Sequence, residues 1–222
     1  MKTKFIFIIV GCGGIGGNIA RDLPKLINEQ DHLLLLIDGD TIEPSNTTRQ
    51  PYQKQDVGHN KARALAKKIN SFYDIPAYAY NQYITDREII TLINDEYQTY
   101  FPVLIGALDN DPSRKILEKT FNAISTIIYI DGANSKYEGN IYVAAKRNGR
   151  KEGTLRSDVY TLDDKDHPTE GSCEDRVSRG DTQFLITNNK IAAFILEHIH
   201  YVITYQTKVG VTNVARLETT HF

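Results

Sequence analysis

The apolar run KFIFIIV leads directly into GCGGIGGNIA, which carries glycines at positions 11, 13, 14, 16 and 17. Lys4–Val10 is aromatic and β-branched without polar alternation, the pattern of a strand buried on both faces. Gly14–Asn28 has helical spacing at Ile15, Ile19, Leu23, Leu26 and Ile27, and Pro24 is expected to bend or shorten that helix. HLLLLID (His32–Asp38) is a second continuous apolar strand. A strand, a glycine loop, a helix and a strand in this order open a doubly wound, Rossmann-like α/β sheet. Glycines let such a turn take positive φ and let backbone N–H groups approach a phosphate, while the next helix presents its positive dipole end. Asp38 follows by about 20 residues, where an acid accepts hydrogen bonds from a ribose. The loop alone fits a hydride carrier as well as a nucleotide that is consumed.

The remaining chain continues the pattern. Gly58–Phe72 predicts a helix, IPAYAYNQYI a third strand, and Asp86–Tyr97 a helix. FPVLIGALD predicts a fourth buried strand ending at Asp109, and Pro112–Ile124 a helix with proline in its first turn. TIIYIDGA and GNIYVAAKRNG predict two further strands joined as a hairpin, so the sheet is mostly parallel with antiparallel strands towards its C-terminal part. Arg150–Gly180 has no periodicity and reads as a mobile loop. Thr182–Thr204 is a long apolar helix pattern through Phe184, Ile186, Ile191, Phe194, Ile195 and Ile199, and the tail from Val209 supplies edge strands. Residues 1–147 form the expected nucleotide-binding core, and 148–222 complete the same domain.

Composition narrows the function. A net charge of −2 over 222 residues gives no electrostatic footprint for nucleic acid or an anionic membrane. No apolar run approaches the roughly 18 residues that span a bilayer. Two cysteines, Cys12 and Cys173, cannot supply a four-cysteine zinc site or a disulfide framework, so a cytoplasmic protein without structural zinc is expected.

The stretch DGDTIEPSNTTRQPYQKQDVGHNKA shifts the reading towards a nucleotide that is spent. It holds Asp38, Asp40, Asn46, Arg49, Gln50 and Lys61. Attack at an α-phosphate builds charge on phosphoryl oxygens and on departing pyrophosphate, which cations stabilise; a dehydrogenase has no such need. Each charge alone would read as solvated surface. Asp109 and Asn110 end a buried strand at the edge where open α/β sheets bind ligands, and a carboxylate there can hold Mg²⁺ against phosphates. Asp111, just before Pro112, is expected to cap the helix and leave Asp109 for that task.

GCGGIG, LIDGD, SNTTRQ, DVGHNKA, ALDN and GANSKYEGNIYV, in this order, resemble the ThiF/MoeB family of adenylating enzymes, which includes the adenylation domains that activate ubiquitin and its relatives. The resemblance spans about Ile6 to Ala144. It implies Mg-ATP as cofactor, adenylation of the C-terminal glycine of a ubiquitin-like or sulfur-carrier protein, and release of pyrophosphate. At matching positions it implies that Gly11, Gly13, Gly14 and Gly16 line the nucleotide, and that Asp38, with Asp40 beside it, holds the ribose. Asn46, Arg49 and Lys61, with Gln50 adjacent, contact the phosphates. Asp109, with Asn110, positions the metal or the attacking carboxylate. It also implies a homodimer or heterodimer. Two departures stand out: the C-x-x-C pairs of many bacterial members have no counterpart, and neither does the N-terminal helical element that often lends an arginine to a partner's nucleotide. Cys173 occupies a position where members that go on to a thioester place a reactive cysteine. The competing readings are a NAD-dependent oxidoreductase and a catalytically silent subunit of a heterodimeric activating enzyme.

Overall fold

The computed structural model describes residues 3–27, 31–135, 137–164 and 185–215. In chain order they form β1 (Phe5–Val10), α1 (Gly14–Ile27), β2 (Leu33–Ile37), α2 (Lys61–Phe72), β3 (Ala77–Tyr80), α3 (Asp86–Thr91), β4 (Phe101–Gly106), α4 (Asp111–Ala123), β5 (Ile127–Asn134), β6 (Gly139–Arg147), β7 (Arg150–Gly153), α5 (Leu185–Ile203) and β8 (Gly210–Val214). The sheet runs β3-β2-β1-β4-β5-β6. Its first five strands are parallel, and β6 returns antiparallel to β5. The far edge of β6 is shared, β8 pairing with Gly139–Val143 and β7 with Ala144–Arg147.

The uninterrupted apolar strands follow from burial on both faces. Phe5, Phe7 and Ile9 point into a core under α1, α2 and α5, whereas Ile6, Ile8 and Val10 point into a second core under α3 and α4. Strand order reverses between β1 and β4, so the crevice for a ligand opens beyond their carboxyl ends. Pairing in register brings Val10, Ile37 and Gly106 level, and Gly11, Asp38 and Ala107 leave the sheet together.

Several expectations need correction. α1 is not shortened by Pro24; it runs to Ile27 with the proline ring buried. The lost hydrogen bond falls in the last turn, where burial offsets it. The helix expected over Asp86–Tyr97 divides: α3 ends at Thr91 and Leu92–Glu96 makes a π turn, with Tyr97 N–H reaching Leu92 O at 3.0 Å. The wider turn places Tyr97 on the same cluster as Ile89 and Ile93. The segment read as a mobile loop from Arg150 begins instead with β7 and a 3₁₀ turn at Arg156–Asp158. Asn148 and Gly149, at φ 47° and 82°, form the tight Asn-Gly turn that closes this hairpin. In α5, Ile191, Ile195 and Ile199 are buried, but Ile186 and Phe194 lie on the exposed side.

Candidate functional site

The glycine loop is shaped by close approach. A Cβ at Gly16 would sit 1.8 Å from the Gly11 carbonyl oxygen, so any side chain there breaks the turn. Gly11 has φ +89°, and a Cβ on it would meet the Ala107 carbonyl at 2.5 Å. Gly14 faces the Asn188 side chain on α5. At Gly13 an added Cβ would meet nothing within 4 Å among the described residues, so the loop is open at this position. Of the four glycines expected to line a nucleotide, Gly11, Gly14 and Gly16 are also required by the protein's own packing.

Asp38 locks this loop to the next one. One carboxylate oxygen accepts from Cys12 N at 2.6 Å and the other from Asp40 N at 2.8 Å. Burial pushes its pKa up to about 6, the neighbouring Asp40 adds to that, and Lys61 opposes it. The Tyr52 hydroxyl donates to the Cys12 carbonyl at 2.6 Å and seats the polar loop against the glycine turn. Cys12 itself is fully buried, and burial raises its thiol well above the usual range, so it is no nucleophile.

The polar connection after β2 is ordered by short-range bonds. Asn60 caps α2 by accepting from Arg63 N at 3.0 Å, and its amide donates to the carbonyls of Asp38 (2.8 Å) and Asp40 (3.0 Å), closing the loop's two ends. Asp56 pairs with Lys68 of α2. Asn46 is buried on a 3₁₀ turn at Pro44–Thr48, where its Oδ1 accepts from Glu43 N at 3.0 Å. Its amide nitrogen and the Gln50 Oε1 are buried without a hydrogen-bond partner. Arg49 ends the turn, half-buried.

Lys61 is the first residue of α2 and its side chain is only 4% exposed. Its Nζ lies 2.6 Å from Asp40 Oδ2. Buried ammonium groups persist when paired, and this one lies at the carboxyl edge of the sheet beside the glycine loop.

Asp109 is exposed in the loop after β4, with its Oδ1 accepting from Asn110 Nδ2 at 3.2 Å. The cap of α4 is Asn110, not Asp111: Asn110 Oδ1 accepts from Ser113 N at 2.9 Å. The helix starts one residue earlier than the proline position indicates, and Asp111 pairs with Arg114 at 3.0 Å. Arg114 also donates from Nη2 to the Leu108 carbonyl at 2.5 Å, so it grips the backbone just before Asp109 and the side chain just after Asn110.

Beneath that loop lies a charge cluster that sequence reasoning missed. Asp131 of β5 is fully buried, 2.5 Å from Arg156 Nε and 3.5 Å from Arg114 Nε. Arg156 reaches Asn140 at 2.7 Å and lies over the Tyr142 ring at 4.5 Å. The one signal in the sequence was an acid inside an apolar strand, in YIDGA. Cys173 lies outside the described residues. Among the described residues, no group of three or more His, Cys, Asp or Glu is arranged to hold a metal ion, and no helix is long and apolar enough to cross a membrane.

The sequence model of the ThiF family matches residues 3–216, nearly the whole chain. The chain belongs to the ThiF family. Two curated relatives are the Nedd8-activating enzyme E1 catalytic subunit of Drosophila melanogaster and human ubiquitin-like modifier-activating enzyme 6. The first is 28% identical over 156 residues, which is 64% of this chain and 33% of that protein. The second is 32% identical over 117 residues, 50% of this chain and 11% of that protein. The chain thus spans a third or less of the length of these relatives. Solved structures share the fold: PaaA (TM-score 0.63, 19% identity, 97% of this chain and 65% of that one) and E. coli MccB (TM-score 0.65, 17% identity, 98% and 67%). MccB has also been solved with AMPCPP and MccA. Within this ThiF-family chain, the glycine loop, Asp38, Asp40 and Lys61 are joined by direct hydrogen bonds, and Asp109 and Asn110 follow the neighbouring strand β4. Asn46, Arg49 and Gln50 sit on the turn between the two ends of the β2–α2 connection.

Proposed function

We propose that this ThiF-family protein binds Mg-ATP and adenylates a carboxylate, the C-terminal glycine of a ubiquitin-like or sulfur-carrier protein. The observation that carries the reading is a buried, paired lysine at the first turn of α2, beside a glycine loop that opens at Gly13. A redox cofactor has no use for that cation, whereas phosphoryl transfer does. The unpartnered Asn46 amide adds a donor in the same loop. In the reaction a carboxylate oxygen attacks the α-phosphorus, the bond to the bridging oxygen of pyrophosphate breaks, and an acyl adenylate forms. The carboxylate is already ionised, so no general base is needed; positioning and charge neutralisation carry the rate.

Mg²⁺ fits as an ion that arrives with the nucleotide. It takes one or two protein carboxylates and leaves its other positions to phosphates and water. Asp109 offers one exposed carboxylate at the sheet edge. When bound, the ion would neutralise phosphate charge, and Asp109 is the residue that would hold it. A dimer and a later thioester on Cys173 extend the same reading.

The test is ATP–pyrophosphate exchange with small proteins ending in Gly-Gly, for wild type and Asp109→Ala. Exchange should appear with one of them and be lost in the variant. Exchange undiminished in Asp109→Ala refutes the site, and none with any candidate favours a silent subunit.

Asp38 gives this reading a pH dependence. Its carboxylate serves a ribose when ionised, so ATP affinity should fall as pH drops through about 6. The Asp38→Asn variant should bind more weakly with a flat profile. Because the folded-state value is raised, the same group makes the fold less stable as pH rises from about 4 to about 6. A wild-type dissociation constant for ATP that stays constant from pH 5 to 7.5 would remove Asp38 from the ribose contact.

A further inference from the structure

Tyr83 follows β3 and nothing in its surrounding sequence marks it as functional. Parallel pairing puts Ile37 level with Tyr80, and three residues beyond each stand Asp40 and Tyr83. Tyr83 lies close against Gly39, where an added Cβ would come within 2.9 Å of its ring. Its hydroxyl lies 2.5 Å from Asp40 Oδ1. The other oxygen, Oδ2, holds Lys61 Nζ at 2.6 Å. The Asp40 carbonyl accepts from Lys61 N and from Asn60 Nδ2, both at 3.0 Å, so the backbone of Asp40 is fixed as well. Asp40 therefore has a rigid main chain, and each carboxylate oxygen has its own donor.

A lysine side chain has four rotatable bonds and loses its directional value unless something holds its end. We propose that Tyr83 and Asp40 are positioning residues that preset the Lys61 ammonium for the phosphates of a bound nucleotide. The inference rests on the ATP-site reading and deepens it. Tyr83 fixes the torsion of the Asp40 carboxylate, and Asp40 fixes the ammonium. Burial and the hydrogen bond to Asp40 both raise the phenol pKa, so the hydroxyl stays a donor across the working pH range. Tyr83 is 48% exposed, so removing one oxygen leaves the core untouched.

The test compares dissociation constants for ATP and for adenosine by calorimetry at fixed ionic strength, in wild type, Tyr83→Phe and Asp40→Asn. Adenosine lacks the group that Lys61 reads. Tyr83→Phe should weaken ATP about three- to tenfold, the range of one ordinary hydrogen bond, because the hydroxyl acts on the phosphates only through Asp40 and Lys61. Asp40→Asn should weaken it further. Adenosine should stay within about twofold of wild type in Tyr83→Phe. A purely structural role would move both ligands together, and parallel loss in Tyr83→Phe overturns the proposal. So does unchanged or tighter ATP binding in both variants. Wild-type protein that binds ATP no better than adenosine would instead sink the underlying ATP-site reading, and the role of Tyr83 with it.

Discussion

Asp131→Asn should destabilise the protein by about 3–5 kcal/mol, the range for breaking a buried ion pair from one side. The carboxylate has no exposed surface and lies between two guanidiniums whose side chains are 8% and 9% exposed. Replacing it with an amide leaves both arginines charged, since a guanidinium does not give up its proton. Arg114 keeps Asp111 and the Leu108 carbonyl, and Arg156 keeps Asn140. Neither of those contacts replaces the central charge. Arg114 Nε, Arg156 Nη2 and the nearby Tyr129 hydroxyl are already buried without a hydrogen-bond partner, and a neutral hydroxyl does not replace the lost charge. Urea unfolding is the measurement: the midpoint should fall while the slope stays constant. A change below about 1 kcal/mol would show that the cluster contributes little beyond a neutral hydrogen-bond network. The cluster also borders the loop of Asp109, because Arg114 of α4 contacts Asp131 from Nε and the Leu108 carbonyl from Nη2.

What was readable before the structure divides along one physical line. Local periodicity revealed β1, β2, β4 and α2, because strands buried on both faces lose alternation and a half-buried helix shows its spacing. The glycine loop and Asp38 were readable because one strand, one turn and one helix suffice to specify them. Asn110 and Asp111 are both good caps, and only the helix start distinguishes them. β7 was signalled by the Asn148–Gly149 turn but concealed by its charged residues, Arg150, Lys151 and Glu152, which suit an exposed edge. Tyr83, Arg114, Arg156 and Asp131 were not readable as partners. Each meets its neighbour across strands whose order no spacing rule provides. The candidate site is therefore part local motif and part topology, and the contacts of Tyr83, Arg114, Arg156 and Asp131 belong to the second part.

Lys61→Met should reduce pyrophosphate exchange about 10²–10³-fold at saturating ATP, the loss expected when one preorganised group facing developing charge is removed. Methionine preserves most of the lysine's volume and suits a buried position, so the fold should survive. Asp40 is left without its cation, but its side chain is 38% exposed and solvent can satisfy it. The stability cost should accordingly be small beside the catalytic one. Lys61→Arg should not restore activity. The Lys61 side chain is almost wholly enclosed, and a planar guanidinium needs a wider slot than an ammonium. The split between parameters carries the argument. If Lys61 served only to hold the ground-state phosphates, the Michaelis constant for ATP would rise and the turnover number would stay. Charge that appears on the departing pyrophosphate is greater in the transition state than in bound ATP, so turnover should fall as well. A variant with unchanged turnover and a raised Michaelis constant would reduce Lys61 to a binding residue, and would leave the transition-state charge to other groups, Arg49 first among them.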